Sequence, residues 1–164
     1  MARQQPIELF MPPNMLKAKV GGGLGGVDAA AMKRADQAME TLKSQFTDWI
    51  ADDVKALITA RTLYGKNPDE ASRAALLRAA HDIKGQAPTF DYPLMARVAA
   101  SLSRMIGELP PEAVLPMSLI DAHVNAIQVI HRQAMQDTND RIAQALCAEL
   151  DARVDEVLGA MNPK

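Results

Sequence analysis

Ala74-Ala75-Leu76-Leu77-Arg78-Ala79-Ala80-His81-Asp82-Ile83-Lys84-Gly85-Gln86-Ala87-Pro88-Thr89-Phe90 decides the fold. At roughly 100° per residue, Leu76, Ala80, Ile83, Ala87 and Phe90 fall on one narrow stripe. Their spacings are four, three, four and three, the pattern of an amphipathic helix with one buried face. His81 lies outside that stripe, so geometry separates it from a satisfied core histidine. Lys84 at i+3 and Gly85 at i+4 sit one turn away beside the imidazole. Leu77, Pro88 and Ala74 extend the same outer face at i−4, i+7 and i−7. An exposed helix surface favours long charged side chains, yet here a small or apolar path surrounds one histidine. Glycine within a helix costs up to about 1 kcal/mol relative to alanine. Gly85 therefore suits a place where another backbone comes close, and it suits equally a plain helix end marked by Gly85 and Pro88.

Working outward, Asn67-Pro68-Asp69-Glu70 reads as the start of this helix, with Asn67 as N-cap and Pro68 at the first helical position. The helix is expected to run towards Phe90. Upstream, Met32, Ala35, Met39, Leu42, Phe46 and Trp49 step by three and four, and Ile50, Val54 and Leu57 continue the stripe. One long helix over 28–64 and two helices meeting near Thr47 both fit. Downstream, Asp91-Tyr92-Pro93 restarts a helix carrying Met95, Val98, Leu102 and Met105 inward to about Ile106. Leu109-Pro110-Pro111 is a connector. A helix from about Pro116 to Met135 follows, with Ile120, Val124 and Ile127 inward. Asp137-Thr138-Asn139 breaks it and caps the last helix, which carries Ile142, Leu146, Leu150, Val154 and Val157. No alternating strand pattern and no internal repeat occurs. The expected fold class is all-α, an antiparallel four-helix bundle with an N-terminal extension and an additional helix. The domain organisation is an irregular segment over 1–27 and a helical domain over 28–164.

The composition agrees: 164 residues, 48% hydrophobic and only 4% aromatic, with a formal net charge of −2. That balance offers no basic surplus for nucleic acid. No apolar run approaches the roughly 20 residues of a membrane helix, and no signal peptide is evident. A soluble, cytoplasmic protein is the expectation. The single cysteine, Cys147, excludes a disulfide framework and a CxxC motif and reads as a small packing residue. The glycine run Gly21–Gly26 is followed by Val27-Asp28, not by the Gly-Lys-Ser/Thr of a phosphate-binding loop, so a flexible connector is expected there.

His81-Asp82-Ile83-Lys84-Gly85, preceded by Arg78-Ala79-Ala80 and followed by small residues and an aromatic, resembles the H-x-x-K-G motif of histidine phosphotransfer (HPt) domains. The likeness spans about Asp28 to Ile106. Phe90 matches the family's hydrophobic position, and Leu94 through Leu102 match its next helix. Asp91 stands where many members have glycine, and aspartate tolerates positive φ better than most residues. The resemblance implies a four-helix phosphocarrier that exchanges a phosphoryl group with response-regulator receiver domains or a hybrid histidine kinase. It implies His81 as the phosphorylated residue and Lys84 as the cation for the phosphoryl oxygens. Gly85, Leu77, Pro88, Ala74 and Arg78 would face the docked partner. Gln86 could orient the imidazole, although its helical angle puts it on the far flank. No cofactor is implied in the chain; the divalent metal would belong to the receiver. A monomer without nucleotide site, nucleic-acid partner or membrane contact is expected.

Three rivals compete. The dimerisation and phosphoacceptor part of a histidine kinase also carries a bundle histidine, and Asp82 resembles the acidic neighbour found there. Gly85 stands where such kinases usually have Thr or Asn, and nothing resembles their ATP-binding domain. A metal-binding bundle would need His123 and His131, but eight residues along a helix separate them by about 12 Å. Structural, partly buried histidines are expected instead, with no metal site. The third rival is a helical interaction module without phosphoryl chemistry.

Overall fold

The computed structural model describes residues 26–161. The irregular segment expected over 1–27 lies outside these residues, except for its last two, which open the first helix. Five α-helices follow in order: α1 (Gly26–Lys66), α2 (Glu70–Gln86), α3 (Pro93–Glu108), α4 (Met117–Arg132) and α5 (Arg141–Met161), with a 3-10 turn (Ala87–Phe90) after α2. The described residues contain no strand, and the fold is all-α. The chain forms two units, residues 1–42 and 43–164, whose boundary falls inside α1. Residues 28–64 lie in one helix, not two.

In the first unit, Met32, Met39 and Leu42 are exposed, Met32 by 67%. They are not the core residues their spacing predicts. Local periodicity places them on one face, but burial requires a second element over that face.

In the second unit the core begins on α1 at Ile50, Val54 and Leu57 and continues through Ala60 and Tyr64. Trp49, expected inward, is 53% exposed. α2 contributes Leu76, Ala79, Ala80 and Ile83. α3 packs against α2, α4 and α5, so it needs apolar residues around most of its circumference. Leu94, Met95, Val98, Ala99, Leu102, Met105 and Ile106 supply them. α5 buries Ala143, Cys147, Leu150 and Val154. Ile142 is instead 77% exposed, because the helix presents the neighbouring Ala143 and Cys147 row to α3 and α4.

The helix starts differ by a few residues from their sequence signals. Asp69, not Asn67, caps α2: its carboxylate accepts from the Ser72 N–H at 2.8 Å, and the Asp69 N–H donates back to Ser72 Oγ at 3.1 Å. This reciprocal pair satisfies two otherwise orphaned donors. Asn67 supports it by donating from Nδ2 to Asp69. At α5 the cap is Asp140, which accepts from the N–H groups of Ile142 and Ala143.

The end of α2 is also set locally. Pro88 has no N–H to donate to the carbonyl four residues back, so the chain tightens into the 3-10 turn. Asp91 then adopts φ 62°, and the Tyr92 N–H reaches back to the Ala87 carbonyl at 2.8 Å. Left-handed closure of this kind ends a helix abruptly and allows α3 to start at Pro93. The helix expected to reach Phe90 therefore stops at Gln86.

Two polar devices hold the helix ends. The Arg73 guanidinium of α2 donates to the carbonyls of Ile106, Leu109, Pro110, Pro111 and Ala113 at 2.8–3.1 Å. Those carbonyls lie at the C-terminus of α3 and in the following connector, where intrahelical partners are missing. The Tyr64 hydroxyl accepts from the Leu115 N–H at 3.0 Å and pins the connector to α1. Arg61 pairs with Asp121, Arg97 with Asp151 and Arg104 with Asp155, linking α1 to α4 and α3 to α5.

Candidate functional site

α2 buries Leu76, Ala80 and Ile83 against the core, and that burial turns His81 outward. The imidazole is exposed, as are Lys84 and Gly85 one turn further on. Ala74, Arg78 and Pro88 are exposed too, and Leu77 is half-buried. Thus a packed helix displays the imidazole on a surface with little side-chain bulk. Among the described residues no side-chain hydrogen bond fixes the His81 ring, and Gln86 is exposed.

Gly85 lies inside α2, not at a left-handed cap. A β-carbon added there would meet nothing within 4 Å. Neither backbone conformation nor internal packing requires glycine at this position. The free space opens outward, beside the imidazole.

Two features of this region have no counterpart among the expected site residues. Asp53 on α1 stands between the core positions Ile50 and Leu57, and its Oδ2 is shielded from solvent with no hydrogen-bond partner. Burial first, then the charges of Asp82 and Asp52, holds its carboxyl above the usual carboxylate range. Asp82 immediately follows His81 in the chain. Helical spacing from Ile50 carried the signal for Asp53, because i+3 from a core residue points inward. The second feature is an aromatic cluster. Phe46 lies 5.5 Å from Trp49 and 5.3 Å from Phe90, centroid to centroid, so α1 is tied to the 3-10 turn that ends α2.

The other two histidines do not converge. His123 is fully buried; its Nδ1 lies 2.7 Å from the Leu119 carbonyl and its Nε2 3.2 Å from Ser101 Oγ. A carbonyl only accepts, so Nδ1 carries the proton and Nε2 accepts from the serine hydroxyl. Burial lowers the His123 pKa, against a smaller upward pull from Leu119. His131 is half-buried beside Tyr92, and burial lowers its pKa too. No group of three or more His, Cys, Asp or Glu that could hold a metal ion occurs among the described residues. Cys147 is buried, and burial pushes its thiol pKa up, as for a packing residue. No helix among the described residues is long and apolar enough to cross a membrane.

A family model described as Hpt domain matches residues 41–160, about three quarters of the chain. No curated protein and no solved structure matches it significantly.

Proposed function

Since this chain belongs to the Hpt-domain family, a class of histidine phosphotransfer modules of phosphorelays and not of classical enzymes, we propose that His81 is its phosphoacceptor and that it carries a phosphoryl group between response-regulator receiver domains. The observation that carries this reading is the exposed imidazole on a well-packed helix, with Lys84 and the empty space over Gly85 one turn away.

The chemistry follows from what each residue supplies. The unprotonated nitrogen of the neutral imidazole attacks phosphorus on the receiver's aspartyl phosphate. The P–N bond forms as the P–O bond breaks, and the aspartate leaves as carboxylate. Such transfers pass through a loose transition state, so position and charge count for more than covalent assistance. The Lys84 ammonium stands on the same face to neutralise the phosphoryl oxygens in flight. Gly85 admits the receiver backbone, while Leu77, Ala74, Arg78 and Pro88 border the contact. The divalent metal and the aspartate come with the receiver, and the chain needs no nucleotide.

The test is incubation with a panel of phosphorylated receiver domains. Wild type should gain one phosphoryl group, and His81→Gln should gain none while keeping its helical circular dichroism. Phosphate on the His81→Gln protein refutes the assignment. Phosphate acquired from ATP alone would favour a kinase role.

A further inference from the structure

α1 carries a second apolar row besides the one that reaches the core. Met32, Met39 and Phe46 recur every seven residues, and Ala35, Leu42 and Trp49 repeat the step three residues later. α1 is one helix from Gly26 to Lys66, so this spacing sets the two rows side by side along it, as in the seam of a coiled coil. In the folded chain the seam lies open: Met32, Met39, Leu42 and Trp49 are exposed, and Phe46 is half-buried. An open seam of this kind is the face that one helix offers another.

Turned end for end, this seam fits itself. With a second α1 laid antiparallel about the point between Glu40 and Thr41, Met32 meets Trp49 of the second copy, Ala35 meets its Phe46 and Met39 meets its Leu42. The smallest side chain of the seam then faces one of the largest, and the Met32 thioether lies against an indole, a favourable contact. Asp36 and Lys43 stand at equivalent places on one edge of the seam, each one residue after its Ala35 or Leu42. Antiparallel packing sets Asp36 of each copy against Lys43 of the other, twice by symmetry. On the opposite edge Ala38 meets Gln45, without charge. Asp28 and Asp53 face each other at either end and keep the contact from running further. A parallel pair would instead set Asp36 against Ala31 and Lys43 against Ala38, and would crowd Phe46 on Phe46 and Trp49 on Trp49. We propose that α1 is an interface between two copies of this chain, which pair antiparallel through Met32, Ala35, Met39, Leu42, Phe46 and Trp49. The monomer expected from the sequence gives way to a dimer. The pairing needs nothing from His81, so it stands or falls separately from the carrier role.

Trp49 is the chain's single tryptophan, so its emission reports on the seam alone. Sedimentation equilibrium and fluorescence of the full chain, from roughly 1 μM to 1 mM, should show one chain passing to two while the emission moves to the blue. Met39→Glu, at an exposed position, should keep the helical circular dichroism and remain a single chain throughout. Lys43→Asp should weaken pairing about fivefold, and Asp36→Lys combined with Lys43→Asp in one chain should restore it. Oxidation of mixed Met32→Cys and Trp49→Cys chains should cross-link the two variants to each other; Cys147 is buried and takes no part. A wild type that stays a single chain over that range overturns the proposal. So does a dimer that survives Met39→Glu, or one whose affinity the double charge reversal leaves as weak as Lys43→Asp does. Cross-linking of Met32→Cys to its own kind marks a parallel pair and overturns it too.

Discussion

Replacing Gly85 by glutamine separates stability from docking at one position. A β-carbon there meets nothing within 4 Å, and the residue lies in helical backbone, so the new side chain enters open space without strain. Glutamine is a far better helix former than glycine, and the exchange should stabilise the fold by about 0.5–1 kcal/mol. For a chain of 164 residues, each kcal/mol raises Tm by about 2–4 °C. The same side chain occupies the space beside His81 that a receiver would fill. If docking weakens by about 1.4 kcal/mol, the transfer rate below saturation falls about tenfold; a larger clash costs more. Thermal melts and receiver titrations on one sample give both quantities, with Gly85→Ala as the intermediate case. A stabilised Gly85→Gln protein that still accepts phosphate at the wild-type rate refutes the docking role. A destabilised one refutes the reading of Gly85 as a surface position made for access.

Lys84→Ala should slow transfer by about tenfold or more at saturating receiver, because the cation is most useful while charge is shared between donor and acceptor oxygens; an unchanged rate would make Lys84 a solvated surface residue. The buried His123 sets a pH dependence. Folded, its ring resists protonation, whereas unfolded it takes up a proton near pH 6.5. The unfolded state therefore binds more protons, and stability should fall as pH drops below about 6.5, until the folded ring itself titrates. His131 acts in the same sense. The Tm difference between pH 7.5 and pH 5 should shrink in His123→Gln, and an undiminished difference would assign the effect elsewhere. Finally, Arg73→Lys should destabilise by about 2 kcal/mol in denaturant melts, since an ammonium cannot reproduce a planar fork spread over five carbonyls; a neutral result would show that water replaces the guanidinium without loss.

Much of this protein is written in local spacing. The stripe Leu76, Ala80 and Ile83 turns His81 outward in any α-helix, because the angle between neighbouring residues is a property of the backbone. Pro88 and Asp91 end α2 by chemistry within five residues of themselves, which is why the α2/α3 corner could be anticipated even though the helix stops earlier than its apolar pattern. The same local rule fails wherever burial depends on a second element. Met32, Met39, Leu42 and Trp49 repeat as regularly as Ile50, Val54 and Leu57, yet only the latter are covered. Ile142 loses its inward place to Ala143 because the pose of α5 against α3 and α4 selects the smaller row. Asp69 displaces Asn67 as cap because Ser72 returns its hydrogen bond, a match of geometry between two near-equivalent signals. The isolation of Asp53 Oδ2 is likewise invisible along the chain. Adjacent acids are ordinarily solvated, and only the packing of α1 in the second unit encloses one of the two oxygens and sets it against the charge of Asp82. Sequence alone determined which residues share a helix face, since backbone geometry is local; tertiary structure decided which faces are dry, since that requires surfaces distant in the chain to meet.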